Sequence, residues 1–209
     1  MTAPEAALNE PWEARERQHA AMLFGLWVFL ASEILFFGGL FLLYAHARLF
    51  DNVGFTAGGR AANAWFGTAN TLVLMTSSLT MALAERATRA GWTRLARFGL
   101  WATIALGLVF LVVKGFEYHE DLAEHLFPGR RFRFAQPGAA QFWSFYWTIT
   151  IVHATHLTIG LGFVTRLLLL DRRGALGRRW MGAEVTTVYW HLVDVVWVIL
   201  YPLLYLVGR

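Results

Sequence analysis

Five long stretches almost free of charge dominate this chain, and they leave little choice of fold. They cover residues 20–47, 61–84, 98–117, 142–165 and 185–207. The first is broken only by Glu33 and His46, and the second carries no charge. The third ends on Lys114 and Glu117, the fourth carries His153 and His156, and the last carries His191 and Asp194. Each is near the ~20 residues a helix needs to cross ~30 Å of hydrocarbon. Open strands would leave backbone groups unsatisfied in lipid, and the alternation of a membrane barrel is absent. The expectation is an all-α integral membrane bundle of five transmembrane helices. Residues 1–19 form a cytoplasmic segment and residues 20–209 a single transmembrane domain.

Composition agrees. Charged residues make up 15% of the 209, against about a quarter in soluble domains. The net charge of +4 does not point to nucleic acid, because the arginines sit in short connections between spans, where they set topology against anionic lipid. With the N-terminus inside, the cytoplasmic side holds Arg15, Arg17, Arg86, Arg89, Arg94, Arg97, Arg172, Arg173, Arg178 and Arg179. The other side holds Arg48, Arg60, Arg130, Arg131, Arg133 and Arg209. Ten against six predicts a cytoplasmic N-terminus and a periplasmic C-terminus. The leader, with Glu5, Glu10, Glu13 and Glu16 against Arg15 and Arg17, does not read as a cleaved signal peptide. The one sizeable connection, 118–141, contains Pro128-Gly129 and Pro137-Gly138, read as turns.

There is no cysteine. Disulfides, thiolate-bound zinc, iron–sulfur clusters, covalent haem and a paired-thiolate copper centre are therefore excluded. The informative residues are the ionisable groups inside spans, since each costs a few kcal/mol at mid-membrane unless paired or hydrated. Rise per residue places His153, His156, His191 and Asp194 in one slab about 9–14 Å from the cytoplasmic ends of their helices, with Glu33 about 20 Å up. His153 with His156, and His191 with Asp194, are spaced i, i+3 and share a helix face. Three readings stay open for this slab: a hydrogen-bonded network that fixes packing, a carboxylate site for lipid or protons, and a metal site. The third is short of carboxylates and lacks the Glu-x-x-His of diiron bundles.

In the second stretch Gly67, Asn70, Thr71, Leu74, Ser77 and Ser78 form a stripe of small and hydroxyl residues suited to close helix packing. Lys114 and Glu117, one turn apart, are expected to snorkel or pair near an interface. Trp65, Trp92, Trp143 and Trp180 at span ends read as interfacial anchors.

The residues also carry a resemblance through all five stretches. It rests on residues 27–37 with Ser32-Glu33, on Asn70-Thr71 with Ser77-Ser78 and Thr80, and on Lys114, Glu117, Tyr118 and Glu120. It continues in His153, His156 and Gly160, and in Tyr189-Trp190-His191 with Asp194 and Trp197. The chain resembles subunit III of the haem–copper oxidases in its short five-helix bacterial form. The resemblance implies a protein of the bacterial cytoplasmic (inner) membrane with no haem, copper or catalytic centre of its own. Its partners would be the catalytic subunit I, which carries haem and copper, the companion subunits, and bound phospholipid. The complex would be a proton-translocating cytochrome c or quinol oxidase. Glu33, His153, His156, His191 and Asp194 become lipid- or proton-related residues. Asn70, Thr71, Ser77, Ser78, Lys114, Glu117, Trp190 and Trp197 become packing or interface residues.

Longer members of that family begin with two further helices that wall the lipid cleft. Here the resemblance implies a wall from elsewhere, such as an extension of subunit I. Pro202 near the end is similar to the accessory proteins of bacterial nitric oxide reductase, which gives a second reading. A small transporter or assembly factor is the reading from another class, although no inverted repeat is visible.

Overall fold

The computed structural model describes residues 15–172 and 180–206. Residues 1–14 of the leader, with Arg173, Arg178, Arg179 and Arg209, lie outside the described residues, as do the side chains of Arg15, Arg172 and Trp180.

The described chain is helical: α1 (Arg15–Phe50), α2 (Asn52–Ala61), α3 (Ala64–Arg89), α4 (Thr93–Ala123), α5 (Pro137–Arg172) and α6 (Trp180–Tyr205). Four of them, α1, α4, α5 and α6, are long and apolar enough to cross a membrane. The expected second span, α3, is long enough at 26 residues, but Asn70 and its threonines and serines dilute its hydropathy. It begins at Ala64, three residues later than expected.

The sixth helix, α2, was not foreseen in the connection after the first stretch. Its glycines argue against a helix by intrinsic propensity, yet tertiary contact explains both the helix and the glycines. The Asp51 side chain caps it by accepting from Gly54 N at 2.8 Å. A Cβ at Gly54 would meet the backbone of Gly138, and one at Gly58 would lie 2.6 Å from the Phe142 ring. Phe55 then buries itself among Tyr44, Phe142 and Phe145. Pro137-Gly138 is likewise no loop turn. It opens α5, where the missing N–H and fixed φ of proline suit the first helical position.

Helices α3 and α4 form a hairpin. Gly91, at φ 76°, closes α3, with Gly91 N donating to Thr88 O and Trp92 N to Ala87 O. Only glycine adopts that conformation without strain. Gly99 of α4 then lets Ala84 and the Thr80 carbonyl approach.

The core lies among α3, α4, α5 and α6. Trp190 fills the gap left by Gly107 and Gly160. Of the expected α3 stripe, Gly67, Asn70, Leu74 and Ser77 are buried against α4 and α6, while Thr71 and Ser78 are half-buried. Helix α1 lies on the outside. In its apolar window 17% of residues are buried, against 50% in α6.

Ion pairs tie one end of the bundle together. Arg97 Nε lies 2.6 Å from Asp171 Oδ2, Arg89 Nη2 3.3 Å from Glu184 Oε1, and His19 Nε2 3.2 Å from Glu184 Oε2. The start of α1, the α3–α4 turn, the end of α5 and the start of α6 thus share one end. Of the tryptophans expected as anchors, Trp65 and Trp92 are exposed. Trp143 is fully buried against Phe142 and Tyr146 and anchors nothing at a surface.

Candidate functional site

Two polar constellations stand out within the apolar bundle. The first is open. Glu33 on α1 and His156 on α5 approach to 3.1 Å, Oε2 to Nε2, an ion-pair distance without the alignment of a hydrogen bond. His156 Nδ1 lies 2.9 Å from the Val152 carbonyl one turn back, and the ring packs edge-on against Phe37. Tyr189 of α6 donates to the His156 carbonyl at 2.9 Å. These groups sit in a groove of about 440 Å³ between α1, α5 and α6. Met22, Leu26, Phe29, Ile159 and Phe163 make the rest of its lining almost wholly apolar. An apolar slot with one acid–base pair has the form of a site for a chain-like amphiphile.

The second constellation is sealed. Lys114, Glu117 and Asp121 follow i, i+3, i+7 and point from one face of α4. Tyr146 of α5 and Tyr205, the last residue of α6, close over them. Lys114 Nζ lies 3.0 Å from Glu117 Oε2, 3.0 Å from the Tyr146 hydroxyl and 2.7 Å from the Tyr205 hydroxyl. The Tyr146 oxygen lies 2.7 Å from Glu117 Oε1 and 2.8 Å from Asp121 Oδ2, and the Tyr205 oxygen 2.6 Å from Glu117 Oε1. The ammonium also stands 4.6 Å from the centre of the Tyr146 ring. Gly67 of α3 seats Tyr205, since a Cβ there would lie 2.8 Å from the ring. Lys114 and Glu117 pair as expected, but Lys114 does not snorkel: only 2% of it is exposed.

The expected slab divides between these sites and the core. His153 is fully buried between Phe110 and Trp197, and neither ring nitrogen has a hydrogen-bond partner among the described residues. His191 Nδ1 pairs with Ser78 Oγ at 2.6 Å. Asp194 is buried beside Ser78, whose hydroxyl is engaged with His191, and its carboxylate oxygens have no partner among the described residues. The i, i+3 pairs therefore part: His156 reaches the groove and His153 the core.

In the α3 stripe, Thr71 Oγ1 accepts from Trp197 Nε1 at 3.1 Å and Ser78 meets His191. Asn70 and Ser77, also buried, have no side-chain partner among the described residues, and neither does the Trp190 indole. Thr80 meets Thr103 of α4 and Thr68 meets Tyr201 of α6, each at 2.8 Å.

Asp121, Tyr146 and Tyr205 were not singled out from the sequence. The spacing of Asp121 from Lys114 and Glu117 is a legible signal. The two tyrosines looked like ordinary span aromatics, and only packing brings their hydroxyls to Lys114. Among the described residues no group of three histidine, aspartate or glutamate side chains is placed to hold a metal.

Comparison with known proteins adds the family dimension. The family described as cytochrome c oxidase subunit III matches residues 14–209. Cytochrome c oxidase subunit 3 of Corynebacterium diphtheriae is 34% identical over 99% of this chain and 95% of its own length. Quinol oxidase subunit 3 of Bacillus spizizenii is 29% identical over 96% of this chain and 94% of its own. Heme-copper oxidase subunit I+III of Aeropyrum pernix is 32% identical over 87% of this chain, which corresponds to 22% of that longer protein.

Proposed function

The chain belongs to the cytochrome c oxidase subunit III family, and from that premise we propose that it is the non-redox subunit III of a respiratory haem–copper terminal oxidase. It packs on a catalytic subunit I that carries the haem and copper. It holds phospholipid in the groove at Glu33 and supports the stability and proton uptake of its partner during turnover. The observation that carries this reading is the Glu33–His156 pair at the side of an apolar groove open along α1, α5 and α6. An acyl chain matches the lining, and the pair supplies the one polar contact at depth.

The chain spans the bacterial inner membrane five times, with α3 as the fifth crossing. Residues 64–84 carry no charge. Thr68, Thr71 and Thr76 return their hydroxyl hydrogens to the carbonyls of Ala64, Gly67 and Leu72, which reduces the polarity that lipid would meet. The end that gathers the start of α1 and the α3–α4 turn is the basic, cytoplasmic one. Reporter fusions after Arg89 should read as cytoplasmic and fusions at Gly129 as periplasmic; the reverse pattern would invert the orientation.

Purification through a tag on this chain, from native membranes in mild detergent, tests the function. A larger multi-helix haem protein should come with it, together with bound phospholipid. Ile159→Trp, which fills the groove, should lower the phospholipid content and leave the haem protein attached. Recovery of the chain without any haem protein, while subunit I is present in the same membranes, would overturn the assignment.

A further inference from the structure

The sealed cluster contains more hydrogen-bond contacts than its ionised side chains can supply with hydrogens. Six contacts join Lys114, Glu117, Asp121, Tyr146 and Tyr205, all between 2.6 and 3.0 Å. Each hydrogen bond needs one hydrogen between its two heavy atoms. A lysine ammonium brings three and each phenol brings one, which makes five. Ionised carboxylates bring none.

The shortfall falls at Tyr146. Its hydroxyl oxygen accepts from Lys114 and touches both Glu117 Oε1 and Asp121 Oδ2, but one phenolic hydrogen serves only one of those carboxyls. At the other contact the carboxyl must be the donor, or two oxygens stand 2.7–2.8 Å apart with no hydrogen between them. Glu117 is the ion-pair partner of Lys114, and its Oε1 also receives the Tyr205 hydroxyl. Those contacts favour Glu117 as the anion. Asp121 has only the Tyr146 contact from this cluster, so the hydrogen belongs to Asp121.

Charge leads to the same count. With both acids ionised the cluster would carry one net negative charge in a pocket where Lys114, Glu117, Asp121, Tyr146 and Tyr205 are all buried. One further proton makes it neutral and removes that penalty. We propose that this cluster is a proton-binding site, holding one proton between the Asp121 carboxyl and the Tyr146 oxygen at neutral pH.

The other titratable groups facing the site do not alter the balance. On α4 these are Glu120, and Tyr118, whose hydroxyl donates to Thr150 at 2.9 Å. From α5 His153 lies toward Lys114, and from α6 Tyr205 is already counted. Glu124, one turn beyond Asp121, is held by Arg133 at 2.6 Å. The only cation in contact with the carboxyls among the described residues is Lys114, and it is matched by Glu117.

Infrared spectroscopy of the intact complex tests the site, with aspartate labelled with ¹³C at the side-chain carboxyl. The complex should show an isotope-shifted stretch of a protonated carboxyl at neutral pH. That band should survive Asp194→Asn and disappear in Asp121→Asn, whose amide keeps a hydrogen on Tyr146 without titrating. A folded state that keeps a proton the unfolded chain releases loses stability as pH rises. Release of the subunit on heating should therefore become easier toward alkaline pH in the native complex, and less so in Asp121→Asn. If the labelled native complex shows no protonated aspartyl band, the proposal fails without any variant being needed. A band that persists in Asp121→Asn and vanishes in Asp194→Asn also overturns it.

Discussion

Glu33–His156 and Lys114–Glu117 are both acid–base pairs inside an apolar bundle, yet they are built in opposite ways. The Lys114 cluster draws on α4, α5 and α6, every group in it is buried, and all but Asp121 are engaged more than once. The Glu33 pair joins the outer helix α1 to α5, remains partly open, and sits at 3.1 Å without hydrogen-bond alignment. A sealed charge must find its full set of partners inside the protein. An open one leaves coordination for whatever enters the groove. Between these two pairs, saturation goes with a group closed inside the fold and under-coordination with one that faces a groove.

Breaking the sealed cluster should have the largest effect. Lys114→Met leaves Glu117 buried without its cation, which costs on the order of 3–5 kcal/mol. The variant subunit should be missing from complexes purified through subunit I. The paired replacement Lys114→Met with Glu117→Leu removes both charges and should restore much of the occupancy, because an apolar pair needs no desolvation. If Lys114→Met assembles as well as the native chain, the cluster is not what holds α4 to α5 and α6.

An intermediate effect should follow from disturbing the cluster without touching its charges. Gly67→Ala places a methyl group 2.8 Å from the Tyr205 ring, and overpacking of this kind costs about 1–3 kcal/mol. Tyr205 should be displaced from Lys114 and Glu117, and the subunit should dissociate at a lower temperature. Gly67→Ala with Tyr205→Leu should lose less than the sum of the single changes, since both act on one contact. Strict additivity would place the strain elsewhere.

The two constellations differ just as much in how far the sequence revealed them. Long charge-free stretches announce helices through hydropathy, so α1, α4, α5 and α6 could be read directly. α2 could not, because its helix depends on Gly54 and Gly58 meeting α5, a contact without local signal. Glu33 and His156 were legible as ionisable groups within spans, and their approach could not be read because it depends on how α1 leans on α5. Of the sealed cluster, Lys114 and Glu117 were visible and their depth was not. Tyr146 and Tyr205 lie 32 and 91 residues from Lys114, and a tyrosine in a span carries no mark that its hydroxyl will be engaged. The α3 stripe was visible as a packing surface, but the sequence could not say that α4 and α6 would occupy it.

Glu33→Gln should have the smallest effect on assembly, and it separates the two kinds of pair most cleanly. Glutamine keeps the shape of the side chain and can still meet His156. The loss should be about 0.5–1 kcal/mol, within the net worth of one ordinary hydrogen bond. The variant complex should form in normal yield and release the subunit slightly more easily on heating. Its chemistry should change more than its stability. A hydrophobic carbodiimide that partitions into lipid reaches the groove, so the native chain should be labelled at Glu33 ahead of Asp121 and Glu117, which the reagent cannot enter to meet. In Glu33→Gln that labelling should vanish. If it moved instead to the Lys114 cluster, the cluster would not be sealed, and saturation could no longer distinguish the two sites. If Glu33→Gln also shortened the working life of the oxidase at high turnover while occupancy stayed normal, the open pair would act on the partner's proton supply. An unchanged lifetime with easier release would limit it to holding α1, and the groove beside it, against the bundle.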